Sequence, residues 1–303
     1  MARRAFSCAW SRTRKGRAAG SRRMLHPPHT RYERLFVYYF DRRELPSVQD
    51  PDLIGTWVED DNAILFFHRE KEALVLELCA ATGAAIIYQA ELSYQDWEAG
   101  TEIKSFATRL LTVRPVWEAA QAGADPGREI VLDPSVVFGS GFHATTRLCL
   151  ETLETVFKES GLRTSSVLDL GTGTGLLAMA AARLGADSVT AVDHNPLACE
   201  VARRNVARNG CEQAVKVLRT DLKKGLPALA GTDLVIANLY KGLLLHLFAE
   251  PDFWRAGTYL LSGFITGMEG ELLAALPPGL RVLHRGGRDG WRLWLLDNRA
   301  GGR

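Results

Sequence analysis

The chain lacks what a membrane, metal or disulfide protein needs. None of its 303 residues falls in an apolar run long enough to span a bilayer, which takes about 18 residues or more. Its five cysteines, Cys8, Cys79, Cys149, Cys199 and Cys211, show no CxxC or other metal-ligand spacing, and their number is odd. Reduced thiols, no metal site and a cytoplasmic protein are the expectation. Acid is absent from residues 1–31, which hold nine of the 37 Lys and Arg. The net charge of +2 therefore hides a body with 28 bases against 35 acids. Such a body has no basic stripe, so direct nucleic-acid binding is not expected.

What is there is an ordinary globular composition, 47% hydrophobic and 24% charged. At about 100–200 residues per domain, two domains are the starting expectation. Residues 1–31 are rich in Arg and Ser and have no apolar stretch, which excludes a secretory signal. They read as a disordered basic extension upstream of a start near Met24; a nucleic-acid arm and a mitochondrial-type presequence are the alternatives.

Residues 32–118 read as a small α+β domain. RLFVYYF (34–40), AILFFH (63–68), AIIYQAEL (85–92) and TRLLTVRPV (108–116) are strand-like, and KEALVLELCAATG (71–83) is a helix with a glycine stop. A linker follows over 119–135, where Asp125-Pro126-Gly127 marks a bend. From 136 to 303 strands and helices alternate. SVLDL (166–170), SVTAVD (188–193), AVKVL (214–218), TDLVIANL (232–239) and GTYLLSGF (257–264) are strands, and two more lie between 281 and 297. This alternation predicts an α/β fold, a doubly wound and mostly parallel sheet of seven strands.

The glycines of VLDLGTGTG, Gly171, Gly173 and Gly175, follow a strand and open a helix. Asp193 ends the next strand, where a doubly wound fold places its acceptor for ribose hydroxyls. The spacing GxGxG differs from the GxGxxG that cradles a pyrophosphate. A ligand with a ribose but no phosphate suits it better. The series VLDLGTGTG, VTAVDHNP, the acid Asp221 in RTDL, and DLVIANL resembles the class I methyltransferases. That resemblance implies S-adenosylmethionine as cofactor, with Asp221 near the adenine and Asn238 facing the methyl group. Helix capping is the plainer role for Asn238, and the two roles are compatible.

Just before the first of these strands stands VVFGSGFHATTRLCLETL (136–153). With VLDLGTGTG and ANLYKGLL it resembles the PrmA family, whose segment reads close to FGTGxHPTTxLCL. Phe138, Gly139, Gly141, His143, Thr145, Thr146, Leu148, Cys149 and Leu150 match. Those enzymes methylate amino groups of a large-subunit ribosomal protein, the eleventh by its usual number. The resemblance implies a protein substrate, a small recognition domain before the catalytic one, and cofactor contacts from Thr146, Gly171, Asp193 and Asn238. Thr145 and Thr146 are equally able to cap the helix they open, and His143 reads as a brace for the loop.

Ser140, Phe142 and Ala144 depart from the family pattern, as do Tyr240 and Lys241 beyond Asn238. These departures leave another protein lysine open as acceptor, as in the related electron-transfer-flavoprotein methyltransferases. An RNA or small-molecule methyltransferase lacks support, because NLYK stands where DPPY or NPPY would. An NAD-dependent oxidoreductase would need GxGxxG and a catalytic Tyr-Lys pair at helical spacing, whereas Tyr240 and Lys241 are adjacent. A non-catalytic binding module of the same fold is the third alternative.

Overall fold

The computed structural model describes residues 33–59, 62–97, 102–119, 125–162 and 164–298. The basic extension at 1–31 and Cys8 lie outside them.

Four strands and a helix come first: β1 (Arg34–Phe40), β2 (Leu53–Glu59), β3 (Asn62–Phe67), α1 (Glu72–Thr82) and β4 (Ile86–Ser93). The strands form an antiparallel sheet in the order β2-β3-β1-β4. Apolar residues occupy both faces of β1, so both faces are covered. Tyr38 and Phe40 pack with Leu65, Phe67 and Val75 beneath α1. Leu35 and Val37 face the other way, with Ile64 and Phe66. The glycine after α1 ends it as the sequence implies, the Gly83 amide donating to Cys79 O at 2.8 Å.

The single-turn helix α2 (Tyr94–Trp97) leads to a three-stranded sheet of β5 (Phe106–Ala107), β6 (Thr112–Pro115) and β7 (Glu129–Leu132). β6 is antiparallel to β5 and parallel to β7.

The rest is the expected doubly wound unit. It runs α3 (Ala144–Lys158), β8 (Ser166–Leu170), α4 (Leu176–Leu184), β9 (Ser188–Asp193), α5 (Pro196–Arg208) and β10 (Val215–Arg219). Then come β11 (Leu234–Asn238), α6 (Lys241–Phe248), β12 (Thr258–Ile265), α7 (Glu269–Ala274), β13 (Arg281–Arg288) and β14 (Trp291–Asp297). The seven strands lie in the order β10-β9-β8-β11-β12-β14-β13. The first five are parallel; β14 runs antiparallel to β12 and to β13, so it alone is reversed.

Each strand contributes to two cores by alternation. Val167, Val189, Ile236 and Leu260 meet α3 and α4 on one face. Leu168, Val192, Val235 and Leu261 meet α6 and α7 on the other. The strand order reverses between β8 and β11, which opens a crevice at their carboxyl ends.

The N-terminal sheet packs on this unit directly. Leu197, Ala198 and Val201 of α5 share one cluster with Leu35, Val37, Ile64, Phe66 and the loop residues Val136 and Val137. Leu197 presses on Gly55 in β2; a Cβ there would stand 2.4 Å from its Cδ1.

Candidate active site

The glycine loop sits at the switch point, between β8 and α4. Val192 O accepts from the amides of Gly171 and Thr172, both at 2.9 Å. The Gly173 amide donates to Asp193 Oδ2 at 3.1 Å. Gly173 has φ +53°, and a Cβ on it would stand 2.3 Å from the Phe138 carbonyl oxygen. Any other residue would thus meet both an unfavourable backbone conformation and a backbone clash.

The two glycine-bearing loops, 136–143 and 171–175, thus interlock. Thr174 donates to the 136–143 loop twice, from its amide to Phe138 O at 3.1 Å and from Oγ1 to Gly139 O at 2.8 Å. Asn205 of α5 fastens the pair from behind. Its Nδ2 donates to Thr174 O at 2.9 Å and to Asp133 O at 2.8 Å. Its Oδ1 accepts from the Asp133 amide at 2.9 Å.

His143 ends the loop and caps α3, which neither threonine does. Its Nδ1 accepts from the Thr145 amide at 3.3 Å and lies 2.8 Å from Thr145 Oγ1. Burial lowers its pKa and so favours the neutral ring. It stands edge-on to two rings, 5.2 Å from Phe138 and 4.6 Å from Trp291 between centroids.

Asp193 is buried at the end of β9. Burial raises its pKa, and the amide bonds from Asn195 (2.9 Å, to Oδ1) and Gly173 (to Oδ2) pull the other way. Each oxygen keeps acceptor capacity for a hydroxyl. Asn195, not Asp193, caps α5 by accepting from the Leu197 amide. Asp221 follows β10, next to Asp193, whose carbonyl accepts from the Thr220 amide at 2.9 Å. Its carboxylate braces its own turn, with Oδ1 accepting from the Lys223 amide at 3.1 Å and Oδ2 3.6 Å from Lys224 Nζ.

Asn238 ends β11 on the other side of the crevice. Its Nδ2 lies 3.5 Å from Oγ1 of the buried Thr146, in the first turn of α3. Its Oδ1 is buried without a hydrogen-bond partner. Capping is not its role, since Tyr240 is the residue at the N-cap of α6 and no side-chain cap bond is made there. The three glycines follow β8, Asp193 ends β9 and Asn238 ends β11, so the carboxyl ends of neighbouring strands carry them, with Thr146 against Asn238 and Asp221 after β10.

Two residues that hold these loops are not apparent from the sequence. Asn205 gave the signal of a polar, weakly helix-forming residue inside a helix. Asp169, within VLDLG itself, is buried beneath the loop and accepts from Thr172 Oγ1 at 2.6 Å. Among the described residues no cluster of His, Cys, Asp and Glu could hold a metal ion, and no helix is long and apolar enough to cross a membrane.

The family model described as ribosomal protein L11 methyltransferase (PrmA) matches residues 51–298. A ribosomal protein L11 methyltransferase of Pelotomaculum thermopropionicum is 38% identical over 229 residues, covering 73% of this chain and 72% of the relative. That of Enterococcus faecalis is 35% identical over 254 residues, covering 80% and 78%. A crystal structure of ribosomal protein L11 methylase from Lactobacillus delbrueckii subsp. bulgaricus superposes with a TM-score of 0.55 at 28% identity, covering 64% of this chain and 98% of that one. The chain belongs to the ribosomal protein L11 methyltransferase (PrmA) family and is an S-adenosylmethionine-dependent methyltransferase.

Proposed function

We propose that the chain transfers methyl groups from S-adenosylmethionine to amino groups of ribosomal protein L11, its lysines or its N-terminus. The observation that carries this is Asn238 Oδ1, a buried acceptor with no partner at the exit of the strand beside the switch point. A buried amide oxygen left unmet costs about 1–3 kcal/mol, and an amine N–H meets it.

The residues fit the cofactor. Asp193 has acceptor capacity for two ribose hydroxyls. Gly171, Gly173 and Gly175 let the loop pack closely on Leu239, Phe138 and Ala202, where a Cβ would crowd, and Thr146 Oγ1 would offer a hydrogen bond to the amino-acid tail. Asp221 would serve the adenine. When bound, S-adenosylmethionine supplies an electrophilic methyl group on a positively charged sulfur.

The chain's own share is alignment and exclusion of water. A free lysine is protonated at pH 7, and making it neutral costs about 4.6 kcal/mol, against about 1 kcal/mol for an α-amino group. Apolar walls and a nearby positive charge reduce the first figure by lowering the lysine pKa. Asn238 orients the amine through Oδ1 and takes no proton.

In this reading residues 32–118 recognise the acceptor, 119–135 link, and 136–303 catalyse, in the cytoplasm. Leu76 on α1 and Ile87 and Tyr88 on β4 are exposed apolar side chains of this N-terminal part.

The test is to incubate the chain with methyl-labelled cofactor and purified L11, and to map the label by mass spectrometry. Asn238→Ala should lower turnover by about a hundredfold, the scale of losing one aligned polar group in an active site, with cofactor affinity largely kept. An unlabelled L11 overturns the acceptor; unchanged turnover of the variant overturns the role of Asn238.

A further inference from the structure

Exposed apolar side chains stand on the segments that flank the carboxyl end of β11, where Asn238 lies. Phe138 is 49% exposed, Tyr240 56% and Ile265 39%; Trp291 is partly buried. Contiguous apolar surface on a water-facing edge marks a binding site more often than a stability device.

The segments that carry these four side chains flank Asn238 on two sides. On one, His143 joins Phe138 to Trp291 edge-on, and it caps the helix whose Thr146 touches Asn238. Ile265 is the register partner of Trp291 across β12 and β14. On the other, Tyr240 follows Asn238 by two positions. Gly242 leaves room for its ring, since a Cβ there would stand 3.3 Å from it. The exits of β11 and β12 are clamped, the Leu239 amide donating to Ser262 O at 3.0 Å. Gly263 passes so close that a Cβ would stand 2.1 Å from Leu239 O. Lys241 takes no part, because its ammonium is paired with Glu271 at 2.7 Å.

Resting on the amine-acceptor reading above, we propose that Tyr240, with Phe138, Ile265 and Trp291, forms a collar that grips the methylene stem of an acceptor lysine and so favours a lysine ε-amine over an α-amine. A lysine presents four methylenes and then a nitrogen. The stem lies against apolar walls while the nitrogen reaches Asn238 Oδ1. The ring faces attract the ammonium on approach, and loss of water around the stem then favours the neutral amine. An α-amino group has no stem. It would bring peptide N–H and C=O groups against the same rings, where their hydrogen bonds go unmet.

The test compares wild type, Tyr240→Ala and Tyr240→Phe on L11, with rates read separately at lysines and at the N-terminal amine. Tyr240→Ala should raise KM at lysines about tenfold, as loss of an aromatic contact does. The N-terminal amine and the cofactor affinity, read by calorimetry, should move less than about twofold. Tyr240→Phe should behave as wild type, because the ring and not the hydroxyl makes the wall. Equal losses at both amines, or no loss at lysines, overturn the collar. A second arm needs no L11. With S-adenosylhomocysteine bound, saturation of aromatic protons should reach the stem methylenes of Nα-acetyl-lysine methylamide in wild type and fail in Tyr240→Ala; transfer that ignores the substitution overturns the collar. A wild type that binds cofactor and leaves L11 unlabelled overturns the acceptor, and the collar is then decided by the second arm.

Discussion

Asp169 is one carboxyl group with an unusual proton. It is fully buried beneath the glycine loop, and burial, aided by the charge of Asp193, pushes its pKa up to about 7 against the pull of Thr172 and the Ala178 amide. In the unfolded chain it titrates near 3.9. The folded state therefore binds the proton more tightly, and its contribution is complete below about pH 4 and lost as pH rises to about 7. Asparagine at this position would still accept from Thr172 while carrying no charge. Asp169→Asn should thus gain stability relative to wild type as pH rises across that window, by at most about 1.4 kcal/mol per pH unit. Urea melts of both proteins from pH 4.5 to 8 check this; a constant difference would remove the buried charge as its cause. The sequence could show Asp169 as a residue of a strand, but its depth and its neighbour Asp193 are properties of the sheet. Gly171, Gly173, Gly175, Asp193 and Asn238 were legible because their spacing along the chain maps onto strand ends. Asp221 was legible only as a loop acid.

Helix α5 joins three parts of the molecule, and Asn205 is its pin. Alanine is the better helix former, so a purely local account expects Asn205→Ala to stabilise. The hydrogen bonds to Asp133 and Thr174 reverse the sign. Removing them leaves buried backbone groups unmet at about 1–3 kcal/mol each. The variant should lose about 2–4 kcal/mol and bind S-adenosylmethionine more weakly, because Thr174 O and the 136–143 loop are no longer held together. Thermal melts and calorimetry measure both. A stabilised variant with unchanged affinity would show that the pin is dispensable. The same bonds explain why Asn205 was silent in the sequence: its partners lie 72 and 31 residues away. Elements were legible where glycine punctuates apolar runs, so β8 and β9 fall at their predicted bounds. β2 was missed because Gly55 breaks its pattern, and it exists through pairing with β3. β5 is two residues long, and β7 is a strand by its parallel pairing with the distant β6.

Across the whole molecule, the N-terminal sheet and the large sheet share a core through α5 and Val136–Val137. Shared burial couples their unfolding. Leu197 is 4% exposed at the centre of this seam, so Leu197→Ala should cost about 2–4 kcal/mol. Wild type and variant should each melt in one calorimetric transition. Two separated transitions, with only the first moved by the substitution, would mean that the sheets fold independently. The alternation of strand and helix made the seven-stranded unit legible. The seam was not, because a sequence does not say which two apolar faces meet.

Thr146 and Asn238 meet across 92 residues of chain, with the glycine loop between them. A disordered chain scatters these groups and has no seat to offer. Occupancy and foldedness are therefore one equilibrium: ligand that is bound only by the ordered form draws chains toward it by mass action. A cell well supplied with the methyl donor keeps this catalyst intact by the same event that sets it to work.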